Sequence, residues 1–186
     1  ILYRWAQEMD SCSTLIIYVT AHGGRGYFCI GNRIFRDSEL LELINMFEKD
    51  IFIHVIIDSC CSGGFMPSLK TRADTVITST DELGPAYGDL DSEDDFNLGD
   101  GGSEFTSGLA ACIRELARDN TRVEKWKNES GSGSWYACLL EEAFKTAVEL
   151  DAAAVRGYTN PKIWRKTSPL GTTQPPQGGS GCPCQG

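Results

Sequence analysis

The sequence has no long hydrophobic run and few histidines. No uninterrupted apolar stretch reaches the roughly 18 residues that a membrane helix needs, so we expect no membrane span. The chain opens without the basic and apolar segments of a secretory signal, so we expect an intracellular, cytoplasmic protein. Only His22 and His54 supply imidazole groups, so any chemistry that needs an imidazole has two candidates.

Zinc-site spacing is also missing, although the chain has eight cysteines. No Cys-x-x-Cys pair is present, and one proline separates Cys182 from Cys184, so a structural zinc site is disfavoured. Cys112 and Cys138 lie in apolar helical patterns, which predicts that both are buried free thiols.

Basic residues are scarce, because 17 Lys and Arg stand against 26 Asp and Glu, for a formal net charge of −9. Nonspecific nucleic-acid binding depends on clustered basic residues, so we expect no nucleic-acid partner. The charge is compatible with basic protein or peptide substrates, although acidity most often serves solubility alone. The 186 residues, 41% of them hydrophobic, suffice for one domain with a sizeable core.

Apolar periodicity predicts alternating strands and helices. The clearest element is Ile51–Ile57, whose branched residues are typical of a strand that is buried on both faces. The polar segment DSCCSGG follows it, at the strand end where open α/β sheets bind ligands. Further strands are predicted at Thr14–Thr20, Tyr27–Ile30, Arg33–Phe35 and Thr75–Ser79, and helices at Ile1–Asp10, Asp37–Lys49, Ser103–Arg118 and Trp135–Leu150.

This alternation predicts a single α/β domain over residues 1–166, with a largely parallel central sheet flanked by helices. Asn120–Gly133 is predicted to be a charged linker, and residues 167–186 a flexible tail rich in proline and glycine. Since the first residues already follow a helical pattern, we expect the chain to be a fragment of a longer protein.

Two reactive side chains follow two predicted strands. His22 comes directly after Thr14–Thr20, and Cys60 comes directly after Ile51–Ile57. The connection between these strands is long enough for a right-handed crossover, which makes the strands parallel. Their carboxyl ends then lie at one edge of the sheet, and His22 and Cys60 come together there.

A thiol beside an imidazole can act as a nucleophile. Only a few per cent of a free thiol is ionised at neutral pH, so a base must take its proton and can later return it to a leaving amine. Backbone N–H groups of Gly23 and Cys60 are candidates for holding the oxyanion of acyl transfer. His54 lies inside a strand, which leaves His22 as the base. The alternative is that Cys60 is a core thiol and His22 a loop residue.

Several motifs resemble those of the caspase and metacaspase cysteine peptidases, and more loosely those of legumain-like peptidases. LIIYVTAHGG (15–24) is similar to their strand and His-Gly motif, and IIDSCCSG (56–63) to their Asp-x-Cys-x-Ser-Gly motif. VITST (76–80), with the Gly-Pro and tyrosine after it, resembles the strand and substrate-binding loop downstream of the catalytic Cys in these peptidases, and GSEFTSGLAACI (102–113) resembles the helix that follows. The resemblance covers residues 1–164 in the same order and implies a caspase-like sandwich fold.

The resemblance implies a cysteine endopeptidase with His22 as general base and acid and Cys60 as nucleophile. Cys61 stands where metacaspases often have histidine, and it is either a packing residue or a redox partner strained against Cys60. In metacaspases the acid at the position of Asp58 selects Arg or Lys before the scissile bond (P1), whereas the alternative here is that Asp58 caps the following turn. Asp89 is a second candidate for binding the substrate side chain.

Residues 81–102 form a long acidic stretch that contains no Lys or Arg. It is either a solvated loop, a surface that steers substrates, or a calcium site, since some metacaspases are activated through carboxylates. The spacing of Asp89, Asp91 and Glu93 is suggestive, but Asp94 stands where an EF-hand loop needs glycine. The chemistry itself requires no cofactor, so Ca²⁺ enters only as a possible activator.

Control of the peptidase is expected to come from elsewhere. The family's first strand and helix are missing before Ile1, and Gly63–Asp74 is too short to be a cleavable linker between subunits. An upstream regulatory domain, a partner protein or an ion is therefore the expected regulator. Two alternatives remain: a catalytically silent scaffold that binds partners, and a metal site made of His22, Cys60 and Cys61.

Overall fold

A computed structural model describes residues 2–10, 13–48, 50–87, 103–130 and 135–166. The predicted tail, 167–186, lies outside the described residues. In chain order the elements are α1 (Leu2–Glu8), β1 (Thr14–Thr20), β2 (Gly23–Gly24), β3 (Tyr27–Ile30), β4 (Arg33–Arg36), α2 (Asp37–Asn45), β5 (Phe52–Asp58), a 3-10 turn (Ser62–Phe65), α3 (Met66–Leu69), β6 (Thr75–Thr78), α4 (Glu104–Arg118), α5 (Asn120–Ser130), α6 (Trp135–Leu150), α7 (Ala152–Val155) and β7 (Lys162–Arg165).

A four-stranded sheet in the order β1-β5-β6-β7 forms the centre of the described structure. Strands β1, β5 and β6 are parallel, and β7 is antiparallel to β6. The parallel pairing of β1 with β5, predicted from the crossover, is confirmed, with Thr14 opposite Phe52 and Thr20 opposite Asp58. Both strands therefore end at the same level of the sheet.

Helices cover both faces of β5, which explains why its sequence is apolar without alternation. On one face Ile53, Val55 and Ile57 pack with residues of α2 and α3. On the other face Ile56 packs with Ile77 of β6 and with residues of α4 and α6. The result is the α/β fold that the sequence predicts, with a largely parallel central sheet flanked by helices. No described helix is long and apolar enough to cross a membrane.

A second, antiparallel sheet of β2, β3 and β4 grows from the loop after β1. The turn between β3 and β4 lies at Gly31-Asn32, and Gly31 takes a positive φ (58°), which tight hairpin turns require at this position. Phe28 and Phe35 stack with centroids 5.1 Å apart, and Phe28 also stacks on Phe65 at 5.5 Å. The small sheet is thereby fixed onto the segment that follows β5.

Two sequence predictions need correction, and one strand was missed. The predicted linker at Asn120–Gly133 is wrong, because residues 120–130 form the helix α5. Val123 and Trp126, three residues apart, bury one face of this polar helix against Leu139 of α6. Helix α2 ends at Asn45 rather than at Lys49. Strand β7 was not predicted, because its four residues carry no clear alternation.

The cysteine predictions are confirmed in part. Cys112 is buried in the cluster between α4 and α6, where burial raises the pKa of its thiol. Cys138 is a free thiol but only half-buried. Its sulfur accepts a hydrogen bond from Arg165 Nη2 at 3.3 Å and lies 3.1 Å from Ser130 Oγ.

Candidate active site

The matched ends of β1 and β5 position His22 and Cys60. Thr20 and Asp58 are paired across the two parallel strands, and each candidate residue follows its strand by two positions. The backbone of the first loop is tied to the second strand, because the N–H of Ala21 donates to the carbonyl of Asp58 at 3.1 Å. The structure thus places both loops at one edge of the sheet, as the sequence predicts.

His22 is exposed and is held by its backbone. Its carbonyl accepts a hydrogen bond from the N–H of Cys29 at 2.7 Å, which anchors the loop to β3. Gly23 lies so close to the other loop that an added Cβ would be 2.8 Å from Ser59 Oγ. Only glycine fits this approach, so the backbone of Gly23, a candidate oxyanion donor, lies directly against the loop that carries Cys60.

The turn after β5 fixes the backbone around Cys60. Cys61 adopts a left-handed conformation (φ 56°), unusual for a residue with a side chain, and its N–H donates to the carbonyl of Gly84 at 2.7 Å. The hydroxyl of Ser62 is fully buried, donates to Thr80 O at 3.4 Å and accepts from Thr80 N at 3.2 Å. This turn is therefore bonded to the segment that follows β6.

The half-buried thiol of Cys60 contacts the backbone of Ala86. The Ala86 N–H donates to Cys60 Sγ at 3.4 Å, and Sγ lies 3.9 Å from the Ala86 carbonyl. Among the described contacts none joins Cys60 to His22. In unliganded enzymes the hydrogen bond between nucleophile and base is often long and tightens when substrate binds. Cys60 and Cys61 are both free thiols.

Residues 81–87, the substrate-loop candidate, are held in shape by Asp81. Its Oδ1 accepts hydrogen bonds from the N–H groups of Leu83 at 3.0 Å and Gly84 at 2.7 Å. The bond from Leu83 is the leading cause that lowers the pKa of Asp81 below its usual value. An exposed ion pair of 3.2 Å between Arg25 and Glu82 connects this segment to the turn after His22 and Gly23.

Asp58 is buried, with 3% of its surface exposed. Its Oδ2 accepts a hydrogen bond from Thr106 Oγ1 on α4, and none of the ion pairs among the described residues includes it. The alternative that Asp58 caps the following turn is not what the described contacts show, because its carboxylate points to α4. Asp89, the second candidate for substrate binding, lies outside the described residues.

Sequence reasoning missed three residues of this site: Ser62, Ala86 and Thr106. Ser62 lies within the motif that carries the resemblance, and its position between two glycines and two cysteines was the available signal. Thr106 lies one turn into a predicted helix, and nothing in the sequence pairs it with Asp58. Ala86 contributes only backbone atoms, so the identity of its side chain could not reveal the contact.

No group of three or more His, Cys, Asp or Glu that could hold a metal is found in the described part of the chain. His22, Cys60 and Cys61 do not form such a group, which counts against the metal site that they were considered for. The calcium candidates Asp89, Asp91 and Glu93 lie in a segment that the structure does not describe.

Comparison with known proteins supports the fold and assigns no family. No family model matches the sequence, and no curated protein matches it. A solved structure that matches is a structural-genomics protein from Geobacter sulfurreducens, with 15% identity and a TM-score of 0.50. The match covers 94% of this chain and 75% of that chain. At this identity the likeness is one of fold alone.

Proposed function

We propose that this chain is a cysteine endopeptidase of the caspase and metacaspase type, which cleaves proteins after a basic P1 residue. The observation that carries the proposal is the register of β1 and β5. Because Thr20 is paired with Asp58, His22 and Cys60 each lie two residues beyond the ends of neighbouring strands. This is the placement that a base and a thiol need to share a substrate carbonyl.

In the proposed reaction His22 takes the proton of Cys60, and the sulfur attacks the carbonyl carbon of the scissile peptide bond. The N–H groups of Gly23 and Cys60 stabilise the oxyanion that forms. The imidazolium then protonates the leaving amine as the C–N bond breaks, leaving a thioester on Cys60. Water, deprotonated by His22, hydrolyses the thioester and restores the thiol. No metal or organic cofactor takes part in these steps.

The environment of Asp58 supports the basic P1 preference. A buried carboxylate is costly unless it finds a cation or several hydrogen bonds. Here the described chain supplies one hydroxyl, from Thr106, and no ion-pair partner. A Lys or Arg side chain from a substrate would provide the missing charge.

A P1-scanning peptide library tests the proposal. We expect cleavage after Arg or Lys, and loss of all cleavage in Cys60→Ala. Cys61→Ala is the matched control, because it removes the neighbouring thiol and should retain activity. Running the library with and without Ca²⁺ tests whether the acidic segment beyond residue 87 activates the enzyme. Cleavage only after Asp or Asn would contradict the basic P1 preference.

A catalytically silent scaffold is the second candidate. The contact of the Cys60 thiol with Ala86, rather than with His22, favours it. Under this alternative Cys60→Ala would cause no change in peptide cleavage, and no electrophilic peptide would label Cys60.

The proposal includes a regulator, either a further domain or a partner protein, that switches the peptidase on. It also places the enzyme in a reducing compartment such as the cytoplasm. Five described cysteines, Cys60 among them, are free thiols, and these persist where glutathione keeps thiols reduced.

A further inference from the structure

A row of three polar side chains crosses the sheet at the strand ends. Ile56 and Ile77 are paired across β5 and β6 and pack under α4 and α6. Since side chains alternate along a strand, Asp58 and Ser79, two residues further on, lie on that same face. The bond of 3.1 Å from the N–H of Ser79 to the carbonyl of Ile57 continues the pairing to this level. Thr20 of β1 completes the row on the other side of Asp58.

The hydroxyl of Ser79 has no hydrogen-bond partner among the described residues, although only 2% of the residue is exposed. Buried hydroxyls in native proteins are nearly always hydrogen-bonded, and leaving one unpaired costs folding free energy. An unpaired hydroxyl next to a buried carboxylate therefore points to a group that arrives from outside the chain.

Asp58 and Ser79 together offer two separate hydrogen-bond acceptors. Asp58 offers carboxylate oxygens, one of which is already bonded to Thr106, and Ser79 offers a hydroxyl oxygen. Within the described part of the chain the row is open at one end, because Thr20 is exposed and no described helix covers the face of β1 beside it, including Tyr18. A long, narrow side chain could enter over Thr20 and reach both acceptors.

We propose that Ser79 is a specificity-determining residue that, together with Asp58, makes the binding site for the P1 side chain prefer arginine over lysine. This inference rests on the proposed peptidase function. A guanidinium has five N–H donors in a rigid planar fork, so it can bind Asp58 and still donate to a neighbouring hydroxyl. An ammonium is a compact point charge whose donors surround one nitrogen, so it satisfies Asp58 and gains less from Ser79.

The test compares Ser79→Ala with the unmodified protein on two peptides that differ only in Arg or Lys at P1. Because Ser79→Ala removes a hydrogen bond to a charged group, we expect a roughly tenfold fall in kcat/KM for the arginine peptide. We expect less than about a twofold change for the lysine peptide, which makes no such bond. Because the Ser79 hydroxyl has no hydrogen-bond partner in the part of the chain that the structure describes, the urea unfolding midpoint should not decrease.

Thr75→Val is the matched control. Thr75 begins β6 and lies on the same face as Ser79, which directly follows the strand, and the Thr75 hydroxyl is also buried without a partner in the described chain. It lies four residues away, about 13 Å along the strand, so the ratio of arginine to lysine cleavage should stay as in the unmodified protein. An unchanged ratio in Ser79→Ala, with cleavage intact, would overturn the inference and leave the proposed function standing.

Failure of the proposed function gives a different result, since no peptide would be cleaved by any form of the protein. In that case ligand-observed NMR with ethylguanidinium and n-butylammonium decides the inference alone. Preferential binding of ethylguanidinium that is lost in Ser79→Ala supports the inference. Equal binding of the two cations, or binding of neither, overturns it.

Discussion

Acid should destabilise this protein through one buried histidine. His54 lies in the middle of β5, is fully buried, and neither ring nitrogen has a hydrogen-bond partner in the described residues. Desolvation lowers the pKa of His54 from 6.5 to about 4. Of the charged groups that act on it, Asp74 raises this pKa and Arg165 lowers it. Between about pH 6.5 and pH 4 the ring is therefore neutral in the folded protein, whereas in the unfolded chain it would be protonated.

The size of this destabilisation follows from the difference between the pKa of His54 in the unfolded chain and in the folded protein. Between pH 6.5 and pH 4 the unfolded state binds a proton at His54 that the folded state does not, so stability falls as the pH falls through this window. One pKa unit corresponds to about 1.4 kcal/mol, so the whole window corresponds to about 3 kcal/mol. Between pH 7 and pH 4.5 the loss amounts to about 2 kcal/mol of unfolding free energy.

Urea denaturation of His54→Leu at pH 7 and pH 4.5 measures this contribution. The variant should lose about 2 kcal/mol less stability than the unmodified protein on acidification, because leucine takes up no proton. His22→Leu is the control, since it removes the other histidine and leaves His54 in place, so its acid sensitivity should match the unmodified protein. If His54→Leu loses as much stability as the unmodified protein, the burial argument is refuted.

Two further predictions concern packing, and urea unfolding midpoints check both. Gly63→Ala should destabilise the protein by about 1–3 kcal/mol, because the added Cβ would lie 2.6 Å from the carbonyl carbon of Asp81. Gly108→Ala in α4 is the control: its Cβ would meet only Ala147, at 3.9 Å, so this variant should increase the free energy of unfolding by up to about 1 kcal/mol. Trp126→Ala should cost about 3 kcal/mol or more, because Trp126 is the buried anchor of α5, and an unchanged midpoint would restore the reading of this segment as a linker.

Much of the fold follows from local sequence patterns. Thr14–Thr20 and Ile51–Ile57 carry strong strand signals, and the crossover rule then fixes their parallel pairing. Helix α5 could not be predicted in this way, because its composition is polar and its stability comes from Trp126 and Val123 packing on Leu139 of another helix. Such a tertiary contact overrides local propensity.

The sequence likewise predicts some residues of the candidate site and not others. His22 and Cys60 could be predicted, because strand-end placement and topology are properties of the chain's order. Ser79 could not, because its significance comes from lying next to Asp58 across the sheet with no hydrogen-bond partner for its hydroxyl among the described residues. The proximity of Gly23 to Ser59 likewise depends on how two loops pack.

The most direct test of the central claim is covalent labelling of Cys60 by a peptide electrophile with arginine at P1, located by mass spectrometry. The account predicts one label on Cys60, none on Cys61, and much slower labelling in His22→Ala and in Asp58→Asn. Labelling that spreads over the cysteines according to their exposure, or that is equally fast without His22, would contradict it.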